Sequence, residues 1–243
     1  MSCYAGLSLE GARMCGRVAK TRRGGEYLEH IGWRESGIVL RFDDAPRYNV
    51  PPGTRQMMLH RFGEDAAPGA DAVWWNYQPG WAAGKGRAYP NARAEKVLSG
   101  SSYYRAPWNA RRRGIMPADG WYEWPVIGGA KQAHYITARD QAPLWLATIA
   151  LYVPGEPSDG PERGQAIVTA DAVGGMVDVH DRRPLVLRTE DALVWLDPAT
   201  SPELAGQLLR ELARPAEDFA WWPVSPAVGN VRNQGAALIQ PLA

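Results

Sequence analysis

The stretch Gly114–Val126 (GIMPADGWYEWPV) constrains the fold most. A short run, Gly114–Met116, and an aromatic-rich one, Trp121–Val126, flank Pro117-Ala118-Asp119-Gly120, residue types that favour a turn, so the segment reads as two strands joined there. Alternation along the second strand puts Tyr122 and Trp124 on one face and Trp121 and Glu123 on the other. Similar patterns predict strands over Ser36–Phe42, Arg55–Phe62, Ala72–Gln78, His134–Thr137, Leu144–Tyr152, Gln165–Thr169, Leu185–Leu187 and Phe219–Val224. Tyr48–Gly53 reads as a rigid loop, because Pro51 and Pro52 fix φ and cannot donate to a ladder. Helices are expected over Asn91–Leu98, from Thr189 to Leu196, and from Pro202 to about Ala213. Ser201 is the N-cap of the last helix and proline its first residue. Residues 1–13 lack a periodic apolar pattern and read as a leader or a misassigned start. The expected fold class is therefore α+β, a single β-rich domain over residues 14–243 with peripheral helices.

The charge is polarised. Between Lys85 and Arg113 there are eight basic residues and one acid, a net of +7, so the rest of the chain carries −6. Such a segment is either a phosphate-binding surface or a solvated basic face. Trp74, Trp75, Trp81 and Trp108 flank or interrupt it. Basic residues interleaved with exposed aromatics suit single-stranded nucleic acid, while a tryptophan-rich core is the competing account. The two cysteines cannot form a disulfide framework, and the four histidines are scattered without zinc-ligand spacing. No window approaches the run of about 18 apolar residues a membrane span needs. These features predict a cytoplasmic protein without membrane, metal or cofactor.

Four places could carry chemistry. Met14-Cys15 has an unusual option: if Met14 starts the chain and is removed, Cys15 carries a free α-amine beside its thiol. The amine can condense with an aldehyde and the thiolate can then close a five-membered ring on the imine. A small buried cysteine before a strand is the alternative. Glu123, among bulky aromatics, is either a desolvated acid/base or a solvated glutamate on an edge strand. His180 lies in His180-Asp181-Arg182-Arg183-Pro184, where it shuttles protons or simply holds a loop. Asn91-Ala92-Arg93 offers an amide and a planar cation, or an ordinary helix start.

Taken in order, these pieces resemble the SRAP (SOS-response-associated peptidase) family. The likeness runs through Met14-Cys15-Gly16-Arg17, Tyr48-Asn49 followed by prolines, Trp75…Pro79-Gly80-Trp81 and Asn91-Ala92-Arg93-Ala94-Glu95. It continues through Pro117–Trp124, Thr169-Ala170-Asp171-Ala172, His180–Pro184, and Val224-Ser225…Val228…Asn230–Asn233. It departs at Asn76-Tyr77-Gln78, where the family reads Gly-Leu-Ile, and at Arg183, where methionine is usual. The resemblance implies a barrel-like core of mixed and antiparallel strands. It also implies a protein, acting as a monomer, that binds abasic sites in single-stranded DNA and crosslinks to them through a thiazolidine at Cys15. Asn91 would orient cysteine and sugar, Glu123 would shuttle protons, and His180 would help open the sugar and act in reversal. The DNA contacts expected are Arg17, Trp81, Arg93, Arg105, Arg112, Arg113 and Arg182. A cysteine-dependent (auto)peptidase or amidohydrolase and a non-covalent single-strand binder are the competing functions.

Overall fold

The computed structural model describes residues 16–62 and 65–242. The expectations for residues 1–13 and for Cys15 fall outside that range.

Two sheets dominate. The smaller runs, in spatial order, through Phe219–Pro223, His134–Ala138, Gly120–Glu123, Val18–Lys20 and Arg47–Val50, all antiparallel. The larger runs through Arg182–Pro184, Gln165–Asp171, Leu144–Ala150, Arg113–Ala118, Arg55–His60 and Gly69–Trp74. Val186–Leu187 adds to Leu144–Ala150, and Asn91–Arg93 lies parallel to Gln165–Asp171. Both strand orders are open, and no closed barrel forms among the described residues. The expectation of a barrel-like core is therefore replaced by large, mainly antiparallel sheets with few helices. Pro184 and Pro223 at the ends of outer strands cannot donate to a further ladder, which works against closure.

Val18, Trp121, Ile136 and Phe219 from the smaller sheet pack against Met116, Leu144, Leu146 and Ile167 from the larger, forming the core between them. Met57, Ile115, Trp145 and Ile149 belong to a second cluster with Tyr27, Val97, Trp195 and Leu208 of the helices. The two helices expected near the C-terminus form as Thr189–Leu196 and Pro202–Glu211, the latter capped by Ser201, whose hydroxyl accepts from Leu204 N–H at 3.2 Å. Among the described residues, no helix is long and apolar enough to cross a membrane.

The two halves of Gly114–Val126 do not pair with each other. Arg113–Ala118 joins the larger sheet beside Leu144–Ala150, whereas Gly120–Glu123 joins the smaller, between Val18–Lys20 and His134–Ala138. Asp119 is where the chain changes sheets. Its buried carboxylate accepts from the backbone N–H of Thr21 (2.5 Å) and Arg22 (3.2 Å) and from the Tyr27 hydroxyl (2.5 Å), and it pairs with the Arg22 guanidinium. Its carbonyl accepts from the Thr137 and Tyr135 hydroxyls. Gly120 follows because a Cβ there would overlap the Tyr135 ring and lie 2.5 Å from the Ile136 carbonyl. The residue types of a tight turn are present, but buried acceptors direct the chain into the second sheet.

Other differences are local. Ser36–Phe42 is no strand: a 3₁₀ turn, Arg34–Ser36, ends at Gly37 with φ 73°, and irregular chain follows. Asn91–Leu98 divides into a strand, Asn91–Arg93, and a helix, Ala94–Leu98. Arg47–Val50 is a strand leading into the proline loop. Helices Gly24–His30 and Arg105–Asn109 had no clear signal; Pro107 fits the latter because the first helical turn needs no intrahelical N–H donors.

The Asp119 hub sets one expected outcome. Asp119→Ala leaves the N–H groups of Thr21 and Arg22 and the Tyr27 hydroxyl without their acceptor, and lowers stability by about 3–5 kcal/mol in urea unfolding. Asp119→Asn, which keeps one acceptor oxygen, loses less.

Candidate active site

Glu123 ends the strand Gly120–Glu123 opposite His134 and is 2% exposed. It is not a solvated glutamate on an edge strand, because strands flank it on both sides. Trp121, on the same face as Glu123, lines one small pocket with it, and His180 and Arg183 complete the polar wall. His180 follows the 3₁₀ turn Gly174–Asp178, and its Nδ1 accepts from the Arg182 backbone N–H at 3.0 Å. Nδ1 also lies 2.7 Å from Asp181 Oδ1. Both cannot be hydrogen bonds of a neutral ring, since the first needs the Nδ1 lone pair and the second an Nδ1 proton. The Asp181 side chain is 84% exposed and solvated, so the backbone bond prevails. Burial pushes the imidazole below its ordinary pKa, against the opposing pull of Asp181. His180 is thus a neutral ring at pH 7 with its proton on Nε2.

Arg182 frames this pocket. Its guanidinium is bidentate to Glu95 (3.0 and 2.9 Å), pairs with Asp171 at 2.5 Å and donates to the Thr169 carbonyl at 3.0 Å. Three separate sequence motifs therefore meet on one side chain. Arg182, expected at a phosphate, has both terminal nitrogens committed within the protein. Asn91 lies at register position 167 of the neighbouring strand, and the Tyr104 hydroxyl donates to its carbonyl at 3.3 Å. Asn91 thus stands one strand away from Arg182–Pro184, with Gln165–Asp171 between them.

Arg17 approaches from the other side. Its carbonyl accepts from Tyr122 N–H at 3.0 Å, and its Nη1 donates to Asn49 Oδ1 (2.5 Å) and the Val228 carbonyl (2.9 Å). The guanidinium carbon stands 5.7 Å from the centroid of the Trp124 ring. Asn49, buried, donates from Nδ2 towards the carbonyls of Val228, Asn230 and Asn233 at 2.9–3.2 Å. Two motifs some 180 residues apart thus serve one purpose, holding Arg17 in place.

The basic segment divides unevenly. Lys85, Arg87, Arg93, Lys96, Arg105 and Arg111 are exposed. Arg112 is half-buried, its guanidinium carbon 5.0 Å from the Phe62 ring centroid. Arg113, expected on the DNA surface, is 2% exposed and donates to the carbonyls of Trp195, Asp197 and Thr200 at 2.8–2.9 Å. Burial lowers its pKa to about 10. It is a structural arginine, because strand geometry turns it inward where Arg111 faces out. Of the four tryptophans flanking the segment, Trp75 and Trp108 are core, and Trp81 is 64% exposed. Trp81 stands edge-on to Tyr103 at 6.0 Å, which in turn packs against exposed Tyr89. Tyr89 and Tyr103 carried no signal in the sequence, since single tyrosines are as common in cores as on surfaces. Among the described residues, no group of three or more His, Cys, Asp or Glu side chains is placed to hold a metal.

A family model described as SOS response associated peptidase (SRAP) matches residues 14–231, and the chain belongs to that family. Among its relatives, the abasic site processing protein YedK of Escherichia coli K12 is 40% identical over 231 residues, spanning 94% of this chain and 100% of that protein. The abasic site processing protein HMCES of Gallus gallus is 29% identical, over 94% of this chain and 78% of its own. A phage-related protein of Bordetella bronchiseptica superposes with a TM-score of 0.73 at 37% identity, covering 86% of this chain and 94% of that one.

Two outcomes follow from the placement of the arginines. Arg113→Met leaves three carbonyls unpaired and costs about 3 kcal/mol in unfolding, while any affinity for single-stranded DNA changes less than twofold. Substituting Arg93 or Arg105 has the reverse profile: little loss of stability, while any binding to single-stranded DNA depends less steeply on salt, by about 0.7 for each phosphate no longer neutralised.

Proposed function

We propose that this protein binds abasic sites in single-stranded DNA and joins them covalently through an N-terminal Cys15. One observation carries the reading. Val18 pairs with Trp121, and the Arg17 carbonyl is bonded to Tyr122, so the incoming chain runs antiparallel towards Glu123. Residue 15 is two residues from Arg17, at most about 7 Å of chain, and Arg17 is bonded to the neighbour of Glu123. The names of YedK and HMCES, both abasic site processing proteins, support the same substrate.

The chemistry follows from the groups. An α-amine of pKa about 8 has a useful neutral fraction at pH 7 and adds to the aldehyde of the ring-opened sugar. Glu123 takes the proton released by the amine and returns it as water departs from the carbinolamine, leaving an imine. The thiolate then adds to the imine carbon. Sulfur, that carbon, nitrogen, Cα and Cβ close a five-membered thiazolidine. Neutral His180 donates its Nε2–H to the sugar oxygen as the ring opens, and Asn91 orients the cysteine. Exposed Arg93, Arg105 and their basic neighbours attract the phosphates without regard to sequence, and Trp81 offers a flat face to an unstacked base.

Single-stranded DNA carrying one abasic site tests this. Protein beginning at Cys15 is expected to form a heat-stable adduct that Cys15→Ala abolishes, and protein retaining residues 1–14 to form none. An adduct indifferent to Cys15, or formed equally well with residues 1–14 attached, overturns the aminothiol mechanism. Salt-sensitive, reversible binding unaltered by the abasic site identifies a non-covalent binder instead.

A further inference from the structure

Trp121 Nε1, His180 Nε2, Arg182 Nε and Arg183 Nε are buried N–H groups without an acceptor among the described residues. All four side chains line the pocket that Glu123 shares. Trp121 is 1% exposed, Arg182 7% and Arg183 6%, so bulk water does not satisfy them. The rest of each arginine is committed elsewhere: Arg183 Nη1 donates to the Arg214 carbonyl at 2.5 Å, and Arg182 is held as described above. The remaining wall is apolar, formed by Ile136, Met176 and Val179. Folded proteins rarely leave even one buried donor unmatched, so four around a single cavity mark a place where an oxygen atom binds. The cavity measures about 10 Å³, about the room one water molecule needs.

We propose that Trp121 and Arg183 are positioning residues that hold one water molecule beside Glu123, and that this water hydrolyses the crosslink on release. The inference rests on the crosslinking reading. Once the thiazolidine has reopened to the iminium, the water oxygen bonds to the iminium carbon and one of its protons passes to the Glu123 carboxylate. Glu123 then returns that proton to nitrogen. The carbon–nitrogen bond breaks with its electron pair going to nitrogen, and the remaining hydroxyl proton leaves to Glu123. One water is consumed, an aldehyde and an amine are regenerated, and no oxidant or reductant is needed. In the forward direction the same pocket receives the water expelled by condensation. Two N–H donors fix the water oxygen and leave its protons for the carboxylate, the one strong acceptor in the pocket.

Arg183 allows a clean test. Arg183→Met preserves length and apolar bulk but removes the Nε–H. Arg183→Gln keeps an N–H at the same number of bonds from the backbone. Neither variant can donate to the Arg214 carbonyl as Nη1 does, so a structural effect moves them together. Preformed adduct is diluted into an aldehyde trap and release is followed for wild type, Arg183→Met, Arg183→Gln and Trp121→Phe. Release is expected to slow at least tenfold in Arg183→Met and Trp121→Phe and to stay within threefold in Arg183→Gln, with affinity for undamaged single strands within twofold throughout. Equal rates for the Met and Gln variants, or unchanged release in Trp121→Phe, overturn the inference and leave the crosslinking reading standing. Failure of the wild type to form any adduct sinks both. A crystal structure of the wild type showing an ordered water within hydrogen-bond distance of Trp121 Nε1 and Arg183 Nε supports the site; apolar contact between those groups and no such water overturns it.

Discussion

The side chain of Asn49 ties the front of the chain to its end. Fully buried, it accepts from Arg17 through Oδ1 and directs Nδ2 at three carbonyls of the loop Val228–Asn233. Two hydrogens serve three acceptors, so one is shared, and no other uncharged side chain of this size offers an acceptor and two donors together. An aspartate would set negative oxygens against carbonyls, and an alanine would strand three carbonyls and an arginine. Gln234 reinforces the junction, donating to the Asn49 carbonyl and accepting from Tyr48 N–H. The register of Val18–Lys20 against its neighbours follows from this anchoring.

Asp119 complements it from the opposite end of the same strand. By accepting from Thr21, Arg22 and Tyr27 it fixes where Val18–Lys20 stops, while its position between the sheets fixes where Gly120–Glu123 begins. Glu123 therefore lies four residues from one rigid hub, on a strand flanked on both sides. A carboxylate held this way has little freedom to swing out to solvent. The energetic weight lies in acceptors that cannot be replaced rather than in the Arg22–Asp119 ion pair, whose arginine is itself partly solvated.

Much of this was legible in residue types and little of it in residue order. The helix Pro202–Glu211 follows from Ser201 and Pro202, and the shared face of Trp121 and Glu123 from a period of two. Both are local rules that tertiary context left undisturbed. Arg111-Arg112-Arg113 shows the opposite. Three identical residues have three fates: exposed, half-buried over Phe62, and buried on carbonyls. What separates them is backbone geometry, with Arg111 at φ 52° opening the strand that turns Arg113 inward. The Pro117–Gly120 segment was misleading for a similar reason. Turn-forming residues state that the chain bends, but which strand each arm then pairs with depends on partners remote in sequence. The motifs of the resemblance gave order without purpose, and geometry supplies it: Glu95, Thr169, Asp171 and Arg182 form one cluster, as do Arg17, Asn49, Val228 and Asn230.

Arg182 shows how such a cluster sets the state of a neighbouring side chain. Its ion pairs involve carboxylates that are 52% and 82% exposed, so by magnitude they add only about 1 kcal/mol or less to stability. Their effect is geometric. The guanidinium fixes the strand Arg182–Pro184 against Gln165–Asp171, and the backbone N–H of the same residue occupies the Nδ1 lone pair of His180. With that lone pair taken and burial opposing a second proton, the imidazole can present only an N–H to the pocket. Every polar group facing Glu123 across the pocket is then a donor. In so asymmetric an arrangement a proton released there has one strong acceptor within reach, and the direction of proton transfer is set by the fold before any substrate arrives.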